Sequence, residues 1–344
     1  MMSKYFLKRL GLAITSIIII ATIVYFLLSM TKTSPIDQAS FGDDKEAYLK
    51  ELAAVGLDKP VWQRFLIYIS DIFTGRGFGI IYEKDRRSVA ITDLFFGPLV
   101  YSLWVTIPTF ILSSLIGITL GFVAGYKKGT WVDALINVFV ITFIGIPSFI
   151  LGALALAGGG FLGLPTAFIR PEDGGYKQMI LSLILPILVV TLSSIAAYTY
   201  LTRNEVVTVL KSNQVTTARA KGLNEWEVFK KHILRNISIP LVSIILPSLL
   251  VLLSSTIIIE TFFQIPGTSS VIIAAVTKSE YNIVMFNVLF FVFLSLIFNI
   301  ILDILYIILD PRIKYNSISE FKTIKHLSAH KKRKKTIIEE VKNV

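Results

Sequence analysis

The chain has 344 residues, of which 54% are hydrophobic and only 17% charged, with a formal net charge of +11. About a quarter of the residues in a soluble domain are charged, so this composition excludes an ordinary soluble globular protein and points to a membrane. There is no cysteine and there are three histidines, His232, His326 and His330, which excludes disulfides and thiolate chemistry and leaves little from which to build a metal site.

Six apolar runs reach the roughly 20 residues that a helix needs to cross about 30 Å of hydrocarbon. They are residues 10–30, 99–124, 131–157, 178–201, 237–259 and 283–309. Backbone groups in lipid must be satisfied within their own segment. The expectation is therefore an all-α, polytopic membrane protein with six transmembrane helices. Lys4, Lys8 and Arg9 precede the first run, as in a signal peptide. Its apolar length exceeds a signal core and no small-x-small site follows, so it reads as a retained helix. Residues 1–30 form this N-terminal helix.

Residues 31–98 form the largest segment outside the membrane. Tyr48, Leu49, Leu52, Val55 and Leu57 suggest one short amphipathic helix. Val61, Trp62, Phe65, Leu66, Tyr68 and Ile69 suggest a second, opening at Pro60. Residues 99–309 form a five-helix core. Gly117, Gly121 and Gly125 repeat a G-x-x-x-G step on the second helix, a pattern for close helix packing. Pro108, Pro147, Pro186 and Pro247 interrupt helices two to five, where they free a carbonyl and permit kinks. Asp303 is read as the one charge at membrane depth, placed to pair near the inner end of the sixth helix.

Lys and Arg set orientation. With the N-terminus inside, 22 of the 34 basic residues lie in inside segments. Both termini are then cytoplasmic, and so are the loop 202–236 and the basic tail 310–344. Within that tail, HKKRKK at 330–335 suits anionic lipid better than nucleic acid. The sequence contains no G-x-x-x-x-G-K-[ST], H-E-x-x-H or G-x-S-x-G. Gly158-Gly159-Gly160 lacks a strand-to-helix context and reads as a flexible exit into the loop 158–177, not a phosphate cradle. No catalytic constellation, metal site or cofactor site is expected.

The polar interlude at 216–240, TTARAKGLNEWEVFKKHILRNISIP, lies between two apolar runs. Ala218, Arg219, Ala220 and Lys221 favour helix. Gly222 can end that helix with a positive φ. Asn224 is a fair N-cap, with Glu225 and Glu227 in the first turn of a second helix. Trp226, Phe229, Ile233 and Ile237 recur at steps of three and four, giving an apolar stripe. Two readings follow. The stripe lies flat on lipid, or it docks into a groove on a cytoplasmic partner.

The order Ala218-Arg219-Ala220-Lys221-Gly222-Leu223, His232-Ile233-Leu234-Arg235-Asn236, Ile239-Pro240 resembles the coupling loop of binding-protein-dependent ABC permeases. It is most similar to the oligopeptide/dipeptide branch. So are YFLKRLGLAI at 5–14, Gly56-Leu57-Asp58-Lys59-Pro60, Ile146-Pro147-Ser148-Phe149, Glu260-Thr261-Phe262-Phe263 with Pro266-Gly267, and Asp303 with Leu309-Asp310-Pro311-Arg312. Thr216 and Thr217 depart from the family's Glu-Ala, and Arg235 stands at its proline. Residues 316–344 lie outside the resemblance.

The resemblance implies a type I importer permease (MetI-like) fold in a bacterial inner membrane. The chain would carry oligopeptides or dipeptides, or alternatively nickel, a metallophore or another small solute. Its implied partners are a second homologous permease, two ATP-binding subunits that hydrolyse ATP in its place, and an extracytoplasmic solute-binding protein. Ala218, Arg219, Ala220, Gly222 and Leu223 would form the turn of the coupling loop, with Trp226 and Phe229 as apolar anchors. Substrate-contacting residues are not legible. An intramembrane enzyme needs paired ionisable groups, and a non-transporting scaffold needs no ATPase partner; these are the other classes open to such a chain.

Overall fold

In the computed structural model the described residues are 2–30 and 34–309, with residues 2–8 described by their backbone alone. Among them every regular element is helical. The sequence endings Asp310-Pro311-Arg312 and 330–335 lie outside the described residues. Contacts divide the chain after Leu302. The described part of the second unit is the end of the last helix, where Asp303 lies.

Helix α1 (Met2–Ser29) is the N-terminal span. Helices α2 (Lys45–Ala54) and α3 (Val61–Phe73) follow, at the two places where sequence periodicity puts them. Asp44 caps α2 by accepting from Ala47 N at 2.9 Å. Next come α4 (Ile91–Tyr126), α5 (Trp131–Gly145), α6 (Ser148–Gly159) and α7 (Pro171–Leu210). Then follow α8 (Asn213–Ala220), α9 (Glu225–Val228), a π-helical turn (Phe229–Ile233) and α10 (Leu234–Ser255). Helices α11 (Ile257–Phe262), α12 (Thr268–Thr277) and α13 (Tyr281–Leu309) complete the described chain.

Among the described residues five helical stretches are long and apolar enough to cross a membrane, or six if the bent pair α5 and α6 counts as one span. The third run was expected as one helix, and here the structure differs. The helix breaks at Ile146 and Pro147 and bends by 96°. Ile146 has φ −89 and ψ 116, the extended conformation that a following proline imposes. The two halves meet α7 at widely separated levels. Asp133, in the first turn of α5, meets Arg203 of α7, while Gly159 at the end of α6 packs on Leu185 of α7. Eighteen residues of helix separate Leu185 from Arg203, or about 27 Å at 1.5 Å per residue, close to the thickness of the hydrocarbon core.

The other prolines do not break their helices. Pro108, Pro186 and Pro247 lie inside continuous α4, α7 and α10, as neighbouring helices and side chains at membrane depth allow. The interruption within the α7 stretch is at Gly175, with φ 71 and ψ 169. In the glycine run at 158–160, Gly158 and Gly160 have open space around them but Gly159 does not. A Cβ on Gly159 would stand 2.5 Å from Leu185 Cδ1, so this residue is a contact point with α7.

Helices α4 and α7 form the central pair. Gly117, Gly121 and Gly125 lie against Tyr198, Thr199, Thr202 and Val206. A Cβ on Gly117 would come 2.7 Å from Tyr198 Cβ, and one on Gly121 would come 2.8 Å from Thr199 O. The glycine face expected from the sequence is therefore the seam between these two helices. The opposite faces of α1 and α5 expose Leu12, Ile18, Ile23, Leu135, Val138 and Ile141, an outward apolar surface suited to lipid.

Candidate coupling site

The segment from Asn213 to Ile237 is built on a helix end. Helix α8 stops at Lys221, and Gly222 takes φ +77. Gly222 N donates to Arg219 O at 2.9 Å, and Leu223 N donates to Ala218 O at 3.3 Å. These two bonds form the Schellman stop that a left-handed glycine permits. Leu223 packs on the cluster that contains Ala218, which closes the turn with an apolar contact. Asn224 then caps the next helix by accepting from Glu227 N at 2.9 Å. Glu225 and Glu227 occupy its first turn, where the helix dipole favours acids.

Side chains lock the turn. Arg219 donates from Nε and Nη2 to the two carboxylate oxygens of Glu225, both at 2.9 Å. This fork holds the Arg219 guanidinium above its ordinary range. Lys231 reaches Glu227 at 3.2 Å, one turn on. Asn236 Nδ2 donates to Gln214 Oε1 at 2.7 Å and ties α10 back to α8.

The apolar stripe does not stay together. Ile233 and Ile237 are fully buried with Val215, Ala218 and Val228, in a cluster that includes Tyr198 and Val206 of α7. Phe229 is half-buried and meets the rings of Phe122 and Tyr126 on α4 at 5.4 and 6.1 Å. Trp226 is 69% exposed and stacks on Phe229 at 5.5 Å. The lipid-facing reading needs a free apolar face, and most of this one is spent on the chain's own core. What faces outward is Arg219, Ala220, Lys221, Gly222, Glu225 and Trp226. Ala218 and Leu223 belong to the inner side. The π-helical turn at Phe229–Ile233 separates the exposed Trp226 from the buried Ile233.

Buried charge is not confined to Asp303. Asp133 is 4% exposed, and Arg203 donates to it from Nε at 2.7 Å and from Nη2 at 2.9 Å. Gly129 N and Asn137 Nδ2 complete its shell at 2.9 and 2.8 Å. Glu260 is fully buried. It accepts from Thr256 Oγ1 at 2.9 Å and from Ser269 N at 3.1 Å, and it also pairs with Ser269 Oγ. It thus seats the first turn of α12, where backbone N–H groups are free. Gly267 is obligatory beside it, since a Cβ there would collide with the carboxylate and stand 2.5 Å from Ser102 Oγ. The fifth apolar run ended one residue short of Glu260, and Asp133 was hidden by its apolar neighbours. An acid at a span edge followed by Pro266-Gly267 was the available signal for Glu260.

The family described as "Binding-protein-dependent transport system inner membrane component" matches residues 117–315, and its N-terminal companion, "Binding-prot-dependent transport system membrane comp, N-term", matches residues 2–85. The oligopeptide transport system permease protein OppB of Mycoplasma genitalium is 35% identical over 335 residues, covering 95% of this chain and 82% of that protein. The dipeptide transport system permease protein DppB of Lactococcus lactis is 31% identical, covering 91% of this chain and all of that protein. DppB of Escherichia coli is 28% identical, covering 91% and 99%. A solved amino acid ABC transporter with histidines has a TM-score of 0.48 at 15% identity, over 62% of this chain and 93% of that one, too distant to place individual residues. The all-helical, multi-pass chain belongs to the family of binding-protein-dependent transport system inner membrane components.

Proposed function

We propose that this chain is a membrane-spanning permease subunit of an ATP-driven importer for oligopeptides or dipeptides. Its membership of the family and the oligopeptide and dipeptide permeases among its relatives support the substrate class. The sequence has no phosphate-binding loop, so ATP hydrolysis is assigned to two partner subunits. A second homologous permease would complete the pathway, and an external solute-binding protein would deliver the peptide. The asymmetry of basic residues supports a cytoplasmic N-terminus and a cytoplasmic 202–236 segment.

One observation carries the coupling role of residues 213–237: the segment has two different sides. Its outer edge, Arg219 to Gly222 with Glu225 and Trp226, is exposed, while its inner side is packed into the core. A partner helix pressing on that edge would move α8 and α9 together, because the Arg219–Glu225 fork and the Gly222 turn hold them. The displacement would pass through Ile233 and Ile237 to α7 and α10, and through Phe229 to α4. Helix movement between inward- and outward-facing states would follow.

The test is Gly222→Val in the complete transporter reconstituted in proteoliposomes. At φ +77 a β-branched residue is strained, at a cost on the order of 1–3 kcal/mol. The expected result is loss of ATP-dependent peptide uptake, with reduced co-purification of the ATPase subunits at normal permease expression. Normal uptake and normal assembly would overturn the coupling assignment.

A further inference from the structure

A cavity of about 260 Å³ opens between α1, α3, the 79–82 loop and the start of α13. Its walls bring together Tyr25 of α1, Arg64 and Tyr68 of α3, Tyr82 of the loop and Asn282 of α13. Tyr25, Tyr68 and Tyr82 are all more than nine-tenths buried. The loop is fixed around the cavity. Asn282 Nδ2 donates to Ile80 O at 2.8 Å, and Gly79, at φ +85, leaves no room for a Cβ beside Asn282. Glu280 accepts from Tyr82 N at 2.8 Å and from Glu83 N at 2.7 Å. This cavity is therefore a built feature of the fold.

Two of its polar groups are unsatisfied. The Tyr68 hydroxyl and the Arg64 Nε are buried with no hydrogen-bond partner among the described residues. Buried donors are normally paired, and each exception calls for a cause. Burial raises the phenols of Tyr68 and Tyr82 well above their ordinary range, so both remain O–H donors. Lys59 adds a second cation to the wall. The one carboxylate there, Asp71, is 3.9 Å from Arg76. The wall is thus rich in donors, carries an excess of positive charge and has room for more than a single water.

We propose that this cavity binds the oxyanion group of a small molecule, a carboxylate or a phosphate, with Arg64 and the Tyr68 hydroxyl as its principal donors. The group comes either from a free solute or from the headgroup of a phospholipid, since the cavity touches the end of the α1 span at Tyr25. This site is separate from the 213–237 segment and does not rest on the transport reading.

The experiment uses the full chain, purified in detergent, in two arms. In the first, sodium acetate and inorganic phosphate are titrated against thermal unfolding with phospholipid removed. In the second, the chain is equilibrated with phosphatidylglycerol and retained lipid is counted by native mass spectrometry. Saturable stabilisation in the first arm identifies a free solute, and retention of one lipid per chain identifies a headgroup. In whichever arm responds, Arg64→Gln weakens binding about tenfold or more, as expected for a charge-assisted bond. Tyr68→Phe keeps the ring that packs 5.6 Å from Tyr25 and weakens binding severalfold, which guards against a folding defect in the arginine variant. Arg86→Gln, outside the cavity, leaves binding unchanged. No saturable binding in either arm, or binding indifferent to both Arg64→Gln and Tyr68→Phe, overturns the proposal.

Discussion

Removing the Arg203 guanidinium isolates a charge that the fold has enclosed. Asp133 is 6% exposed in its side chain and Arg203 19%, so neither is well screened by water. Two unit charges about 4 Å apart attract by about 4 kcal/mol at an effective dielectric of 20. Breaking a buried pair from one side typically costs about 3–5 kcal/mol. After Arg203→Ala, Asp133 keeps Gly129 N and Asn137 Nδ2 but loses both bonds to a cation. We therefore expect about 3–5 kcal/mol of destabilisation. Asp133→Asn should cost less, about 1–3 kcal/mol, because the partly exposed Arg203 can turn toward water. The double variant, Asp133→Asn with Arg203→Ala, should be more stable than Arg203→Ala alone, because no buried charge is left unpaired. The assay is equilibrium unfolding in mixed micelles, followed by tryptophan fluorescence; Trp131 lies two residues from Asp133 and is exposed. A loss below about 1 kcal/mol for Arg203→Ala, or strictly additive losses in the cycle, would refute the reasoning.

Gly121→Ala should destabilise the chain by about 1–3 kcal/mol, because its Cβ has no room against Thr202 and the Thr199 carbonyl. Gly97→Ala on the same helix meets nothing within 4 Å and should be neutral or slightly stabilising; the same unfolding assay distinguishes them. Glu260→Ala leaves the two Ser269 donors without their acceptor, while the Thr256 hydroxyl falls back on Leu253 O, and should cost about 1–3 kcal/mol per orphaned buried group. Glu260→Gln keeps an acceptor oxygen and should retain most stability, read as monodisperse recovery in size-exclusion chromatography after heating. Equal losses for the two Glu260 variants would show that the carboxylate's hydrogen bonds do not hold α12.

Helix type and the places of the apolar runs were legible because lipid leaves the backbone few options, whereas the lengths of α4 and α7 and the break between α5 and α6 were not. The G-x-x-x-G face was legible for a similar reason: glycine spacing directly reports close approach. The Gly222 turn and the Asn224 cap were visible as local chemistry, and the structure places both where the residues predict. The failures concern partners distant in sequence. Pro147 breaks its helix and Pro108 does not, although each has the same local effect, because the surrounding packing decides whether a freed carbonyl is tolerated. Asp133 and Arg203 are 70 residues apart, and nothing local to either announces the other. The stripe at Trp226, Phe229, Ile233 and Ile237 had the right period, but periodicity cannot say whether a face meets lipid, a partner or the chain itself.

That last ambiguity matters most for the proposed coupling role, and packing answers one part of it: Ile233 and Ile237 meet the chain's own core. A segment that merely rested on the membrane would transmit little, since lipid yields. The segment here has its inner residues in a close-packed cluster with α7 and α10 and an aromatic contact with α4. Close-packed interiors do not absorb displacement as a liquid does. Helices α4 and α7 are joined along three glycines, and α5 is tied to α7 through Asp133 and Arg203. A push at the Arg219–Trp226 edge therefore meets a connected block of four long helices. The places that can bend lie elsewhere, at the Ile146–Pro147 break and at Gly175. The proposed coupling role therefore rests on a close-packed inner side and an exposed outer edge, with the breaks in the long helices lying away from both.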